Sequence, residues 1–388
     1  MSKKYNLFLT LLFCAFLGLF LVWHLILPDA DFSPTENRYL AQLPTLELGT
    51  PDLISPSGNF FNGEFMEDFE RYVNDQFPLR DSWVELKARS ESLSGKLSNN
   101  GVYFGSGGTL IADFPEPDAA KVEKNLSYVS ALGQKLDIPV YFSLIPGKSE
   151  AWKPLLPEGA PVGDQSAILE QAAGTENVNW IDISIPFSTE VYTEGGRLAD
   201  GLSYYRTDHH WTTVGAYHGY ADLVEGMGLT AHPLGELTTV TDDFHGTTWS
   251  SAGAYWYAPD SMQIAVPDEG VTVTNYFDGT PTEGALYNYE KLEVKDKYPF
   301  FLGGNQPLCV IKSEKPGAEG RLLVIRDSFS DALTPFLTQN FAEIHLIDLR
   351  YYKSSLAQYA AVNRIDQVLV LYSVDNFVTD SNLFVMGM

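Results

Sequence analysis

Residues 7–27 form an apolar run broken only by Thr10, Gly18 and His24. As a helix rising 1.5 Å per residue, those 21 residues span about 30 Å, the thickness of a bilayer's hydrocarbon core. Such a run must find lipid or be removed. Lys3 and Lys4 precede it, while Asp29, Asp31 and Glu36 follow it. The positive-inside rule therefore predicts a cytoplasmic N-terminus and an extracytoplasmic body in a single-pass protein of the cell membrane. A cleaved signal peptide has a shorter apolar region and a small-x-small site after it. Here the run closes on Trp23-His24-Leu25-Ile26-Leu27-Pro28, which offers no such site. Phe13, just before Cys14, is too bulky for the usual lipoprotein signal. The expectation is an uncleaved signal anchor over residues 1–28.

Beyond the anchor, composition narrows the classes. Apolar residues make up 45% of the 388 and charged residues 19%, which suits a packed core rather than a disordered chain. Twenty-five basic residues against 50 acidic ones leave a net charge of −25. That surface repels phosphate backbones, so no nucleic-acid partner is expected. Two cysteines far apart in the chain support neither a disulfide framework nor a cysteine zinc site.

Residues 29–58 are rich in Pro, Ser and Thr and read as an extended stalk; residues 60–96 show helical periodicity. Together, 29–96 form a stalk and helical segment, and 97–388 an α/β domain. In that domain, helical patterns at 118–136, 166–173, 211–227, 331–340 and 356–362 alternate with strand patterns. The strands fall at 139–145, 178–183, 321–325, 343–349 and 367–371, which predicts a mostly parallel sheet covered by helices on both faces. Residues 240–315 break the alternation with Gly, Thr, Tyr and Trp and read as an antiparallel β-rich insertion.

Three stretches can carry chemistry. In Thr207-Asp208-His209-His210-Trp211-Thr212, just before a helix, an Asp two residues ahead of a His can fix its tautomer for general-base work. The competing reading is a helix cap made by Thr207 or Asp208. Metal is not expected, because adjacent histidines rarely ligate one ion and the i, i+4 spacing of helical zinc sites is missing. In residues 322–330, an apolar strand runs into Arg326-Asp327-Ser328 and a helix starts near Ser330. Ser328 thus falls at the carboxyl end of a strand, where open α/β sheets place their sites, though Asp327, Ser328 and Ser330 are also favoured caps. Pro146-Gly147-Lys148-Ser149 ends another strand. It lacks the first glycine of a phosphate loop, since Phe142 holds that place, and Lys148 is expected to line the same cleft or cap the strand. Tyr103-Phe104-Gly105-Ser106-Gly107-Gly108 reads as a tight hairpin.

The run from Thr207 to Thr212 resembles the signature of the bacterial DHHW family. That family is related to alginate O-acetylation proteins of the AlgJ and AlgX type, with an SGNH-hydrolase-like fold. Residues 33–38, 75–80, Tyr103-Phe104-Gly105, residues 146–149 and Asp348-Leu349-Arg350-Tyr351-Tyr352 are similar to further motifs of the family. The resemblance covers residues 30–375. It implies that Asp208 orients, His210 acts as base and Ser328 is the nucleophile. Arg326 stands where relatives often have Gly. His209, Trp211, Lys148, Arg326 and Arg350 are further candidates, as substrate contacts.

The resemblance implies an O-acetyltransferase acting on an exopolysaccharide or cell-wall glycan through an acyl-serine. A multispanning membrane O-acyltransferase would be its partner, and no cofactor is implied. A polysaccharide O-acetylesterase and a non-catalytic glycan-binding or scaffold subunit of an export complex are the alternatives. Trp249, Tyr255 and Trp256 suit either stacking on sugar rings or a buried core.

Overall fold

The computed structural model describes residues 3–48, 58–60, 62–185 and 202–388. The chain divides into two compact units. One is formed by residues 1–95 with 253–256, and the other by 96–252 with 257–388.

In the first unit, helix α1 (Lys3–Ile26) is long and apolar enough to cross a membrane, with a mean hydropathy of 2.4. Helices α2 (Glu64–Asp75) and α3 (Arg80–Leu93) divide the expected helical stretch at Pro78. Phe77 stacks on Phe20 of α1 at 5.5 Å between ring centres. The motifs at 33–38 and 75–80 turn out to bind each other. The Arg38 guanidinium donates to both Asp75 oxygens at 2.8 and 2.5 Å, and Arg80 pairs with Glu36 at 2.7 Å. Of the expected stalk, residues 29–48 carry a two-strand ribbon, Phe32–Ser33 with Arg38–Tyr39, and residues 49–57 lie outside the described residues.

The second unit is mixed α/β around an eight-stranded sheet. Its strands are β1 (Val140–Ile145), β2 (Asn179–Trp180), β3 (Val271–Phe277), β4 (Thr280–Gly284), β5 (Leu308–Ser313), β6 (Arg321–Arg326), β7 (Glu343–Ile347) and β8 (Gln367–Ser373). They are ordered β4-β3-β5-β7-β6-β8-β1-β2. The run β7-β6-β8-β1-β2 is parallel; β4, β3 and β5 add antiparallel pairs at one edge. The expected insertion is therefore split. Its last part joins the main sheet, and Thr238–Phe244 with Asp260–Ile264 makes a separate two-stranded ribbon. The glycine-rich turn at 105–108 closes a hairpin between Val102–Gly105 and Thr109–Ala112, with Gly107 and Gly108 at positive φ.

Side-chain alternation along β6 shows why the strand runs are continuously apolar. Leu322 and Val324 enter one core with helices α6 (Thr213–Gly226) and α7 (Ser330–Leu337). Leu323 and Ile325 enter the opposite core with α4 (Ala119–Lys135), α5 (Gln165–Ala173), α8 (Leu356–Asn363) and α9 (Val374–Thr379). Both faces are buried, so neither can be polar. Because β1, β6 and β8 are parallel, the turns after Ile145, Arg326 and Ser373 emerge at one edge of the sheet.

Candidate active site

Ser328 sits in the turn between β6 and α7, and Asp327 fixes that turn. One Asp327 oxygen accepts from the Phe329 amide at 3.0 Å. The other accepts from the Ser373 amide, the Ser373 hydroxyl and Asn376 Nδ2, each at 2.8 Å. A buried carboxylate with this many donors ties the ends of β6 and β8 together and leaves the half-buried Ser328 facing outward.

The Asp208–His210 loop comes from the chain before α6. That helix is capped by Thr212, whose hydroxyl accepts from Gly215 N at 3.2 Å, so Thr207 and Asp208 are free of capping. Thr207 binds Asp260 Oδ2 through its amide at 2.8 Å and its hydroxyl at 2.6 Å. Lys148 Nζ donates to the carbonyls of Tyr205, Arg206 and Asp208 at 2.8, 3.1 and 2.7 Å. These bonds hold the loop against the carboxyl edge of the sheet.

Asp208 is buried and accepts four hydrogen bonds. Oδ1 takes His210 N at 3.0 Å and His210 Nδ1 at 2.6 Å; Oδ2 takes Thr247 N at 2.7 Å and the Thr247 hydroxyl at 3.0 Å. Burial pushes this carboxyl up, but the neighbouring His209 and His210 and the hydrogen bonds outweigh it and hold the group well below the usual carboxylate range. A carboxylate on Nδ1 keeps the proton there and leaves Nε2 as an acceptor. Nε2 lies 2.8 Å from Ser328 Oγ. Tyr298 stacks on the His210 ring at 3.6 Å between centres and 10° between planes, and its hydroxyl donates to the Ser328 carbonyl at 3.2 Å. The arrangement can withdraw a proton from the serine hydroxyl and return it from one fixed direction.

The remaining candidates separate. His209 is 38% exposed, donates from Nδ1 to Thr247 Oγ1 at 2.7 Å, since that hydroxyl's own proton goes to Asp208, and lines a cavity of about 310 Å³. Phe329, Lys148, Asp375 and Asn376 line the same cavity. Lys148 thus reaches the cleft, but its ammonium is spent on the loop carbonyls. Trp211 is fully buried, and its Nε1 donates to the Phe329 carbonyl at 2.8 Å. It joins the loop to the serine turn and presents no face to a substrate. Arg326 is 1% exposed and paired with the equally buried Asp331 at 2.8 Å; it too is shut away from any ligand. Arg350 grips Asp348 through Nε and Nη2 and lines a different cavity. Trp249, 8% exposed, packs on His245 at 4.3 Å and follows the buried-core reading.

Asp208, His209 and His210 bring possible ligand atoms within 4.8 Å of one another among the described residues. Both ring nitrogens of His210 and Nδ1 of His209 already have partners, so the donor set suits a proton relay better than an ion. Sequence reasoning missed Gly246, Thr247, Asp260 and Tyr298. All come from the 240–300 stretch, whose elements around them are too short for a periodic signal to mark a position. Gly246 is required by close approach: a Cβ there would lie 2.2 Å from Asp208 Cβ.

Among curated proteins, none matches the sequence. Solved structures do match. A DHHW family protein from Eubacterium siraeum is 22% identical with a TM-score of 0.55, covering 74% of this chain and 97% of its own. Bacillus cereus PatB1 with a sulfonyl adduct is 22% identical with a TM-score of 0.59, covering 73% and 97%. The O-acetyltransferase domain of Pseudomonas putida AlgJ is 17% identical with a TM-score of 0.45, covering 72% and 93%. The first two share this chain's fold. Residues 197–347, which hold Asp208, His210 and Ser328, match the family model of the DHHW protein.

Proposed function

We propose that the chain is a membrane-anchored, extracytoplasmic O-acetyltransferase that acts on a polysaccharide through an acyl-serine. The observation that carries this reading is the unbroken relay from Asp208 through His210 to Ser328 beside an open cavity. His210 Nε2 takes the Ser328 proton as Oγ attacks the acetyl carbonyl. The tetrahedral intermediate collapses, and the same proton leaves with the donor's leaving group. A sugar hydroxyl then loses its proton to His210 and attacks the ester; Ser328 leaves and takes the proton back. Asp208 stays ionised throughout and balances the transient imidazolium.

The anchor reading is supported by the length and hydropathy of α1 and by the lysines before it. A multispanning acyltransferase would supply the acetyl group in this scheme. The test is acid quenching of the full-length chain during turnover of an aryl acetate, followed by peptide mapping. An acetyl mass on the Ser328 peptide, absent in Ser328→Ala, is expected. Turnover with the label on another residue would sink the assignment. Equal discharge of the label with and without glycan would favour the esterase.

A further inference from the structure

Within the first unit, α1 meets its neighbours before its apolar run has ended. Phe20 lies seven residues short of Leu27. Phe77 stacks on it at 5.5 Å, and Trp83 meets it edge-on at 5.8 Å. These two rings come from the turn between α2 and α3 and from the first turn of α3. Their depth follows from helix rise. With Leu27 at the outer boundary of the hydrocarbon, Phe20 lies about 10 Å inside it. Lys4, whose charge belongs outside the hydrocarbon, is 16 residues before Phe20. With Lys4 at the inner boundary, Phe20 has climbed about 24 Å of a core about 30 Å thick and is still inside. Side chains packed on Phe20 share its depth.

The turn is built for that medium. Lipid offers no hydrogen bonds, so backbone groups within it must be satisfied by the protein. Every carbonyl from Gln76 to Leu79 has a donor. His24 Nδ1 serves Gln76 at 3.1 Å, Arg80 N serves Phe77 at 3.1 Å, Trp83 Nε1 serves Pro78 at 3.2 Å and Trp83 N serves Leu79 at 3.2 Å. Pro78 has no N–H to satisfy, and the Trp83 indole spends its only donor here. Leu79 has a φ of 58°, a conformation that Gly or Asn adopts more easily, yet the position holds a leucine that is 54% exposed. The flanking charges turn to residues 35–38: Asp75 holds Arg38, Arg80 pairs with Glu36, and Asp81 accepts from the Thr35 hydroxyl. Phe77, Leu79 and Trp83 are left as the free apolar face.

We propose that this face is embedded among the acyl chains of the extracytoplasmic leaflet beside α1, as a second lipid contact. The proposal rests on the anchor reading, and its test separates the two. The full-length chain carrying Cys14→Ala and Cys309→Ala is given one thiol for an environment-sensitive fluorophore, by Leu79→Cys or by Leu17→Cys in α1. It is reconstituted into phosphatidylcholine vesicles with or without nitroxide-bearing lipid. The label at 79 should shift its emission to the blue, lose intensity to the nitroxide lipid and resist aqueous iodide; the label at 17 reports the anchor. Lipid quenching at 17 with iodide quenching at 79 would overturn the embedded turn and leave the anchor standing. Lipid quenching at neither would defeat the anchor and the turn with it. Lipid quenching at 79 alone would also overturn the proposal, because α1 sets the depth. Trp83→Phe, unlabelled, is the second variant. The share of tryptophan emission lost to nitroxide lipid should fall relative to the parent, and an unchanged share would refute the embedding of Trp83.

Discussion

Gly246→Ala tests the site without touching any reacting group. An added Cβ would lie 2.2 Å from Asp208 Cβ, 2.3 Å from Oδ2 and 2.6 Å from Cγ. Ordinary non-bonded contact needs roughly 3.5 Å, so Asp208 or the 246 backbone must yield by about 1 Å. Neither moves freely. Asp208 carries four hydrogen bonds, and the residue after Gly246 supplies two of them. A shift of that size stretches the 2.6 Å bond to His210 Nδ1 beyond hydrogen-bond range. Misplacement by about 1 Å costs on the order of 10²-fold in rate, or about 2.7 kcal/mol. Complete loss of the carboxylate's role sets a ceiling near 10⁴-fold. Overpacking should lower stability by about 1–3 kcal/mol. The assay is aryl-acetate turnover by the full-length chain, with thermal melting followed by circular dichroism. A variant that melts like the parent and retains turnover within about threefold would refute the claim that Asp208 must be held this closely.

His210→Ala should abolish turnover by about 10³-fold or more, whereas His209→Ala should be milder; steady-state kinetics on folded variants that reversed this ranking would exchange their roles. Arg326→Met should destabilise by about 3–5 kcal/mol by stranding Asp331, and adding Asp331→Leu should recover much of that loss in chemical denaturation. Asp208 also predicts a pH dependence. Its folded carboxyl lies below the 3.8 of an ordinary aspartate, so it stabilises the fold above that pH, and the contribution fades as pH falls further. The acid side of a melting-temperature profile should therefore be flatter in Asp208→Asn than in the parent.

Much of the architecture could be read from local pattern. The apolar run at 7–27 needs only length and charge asymmetry. The strands read at 139–145, 321–325 and 367–371 appear as mostly apolar runs because both sheet faces are buried, a constraint that falls on successive positions of the strand. The pairing of Asp208 with His210 was equally legible, since two residues of separation is a local relation. The rest depends on distance through space. His210 and Ser328 are 118 residues apart, and only the docking of the loop onto the carboxyl edge of the sheet brings them to 2.8 Å. Tyr298, Gly246 and Asp260 support that docking from a stretch of short elements and turns, too short for a 3.6 or a 2.0 period to mark which side chain faces inward. Trp211 and Arg326 show the opposite limit. Their chemistry suited a substrate contact, but tertiary packing spent the indole on the Phe329 carbonyl and the guanidinium on Asp331. A sequence states which groups a residue can offer; only the fold decides which partner reaches them first.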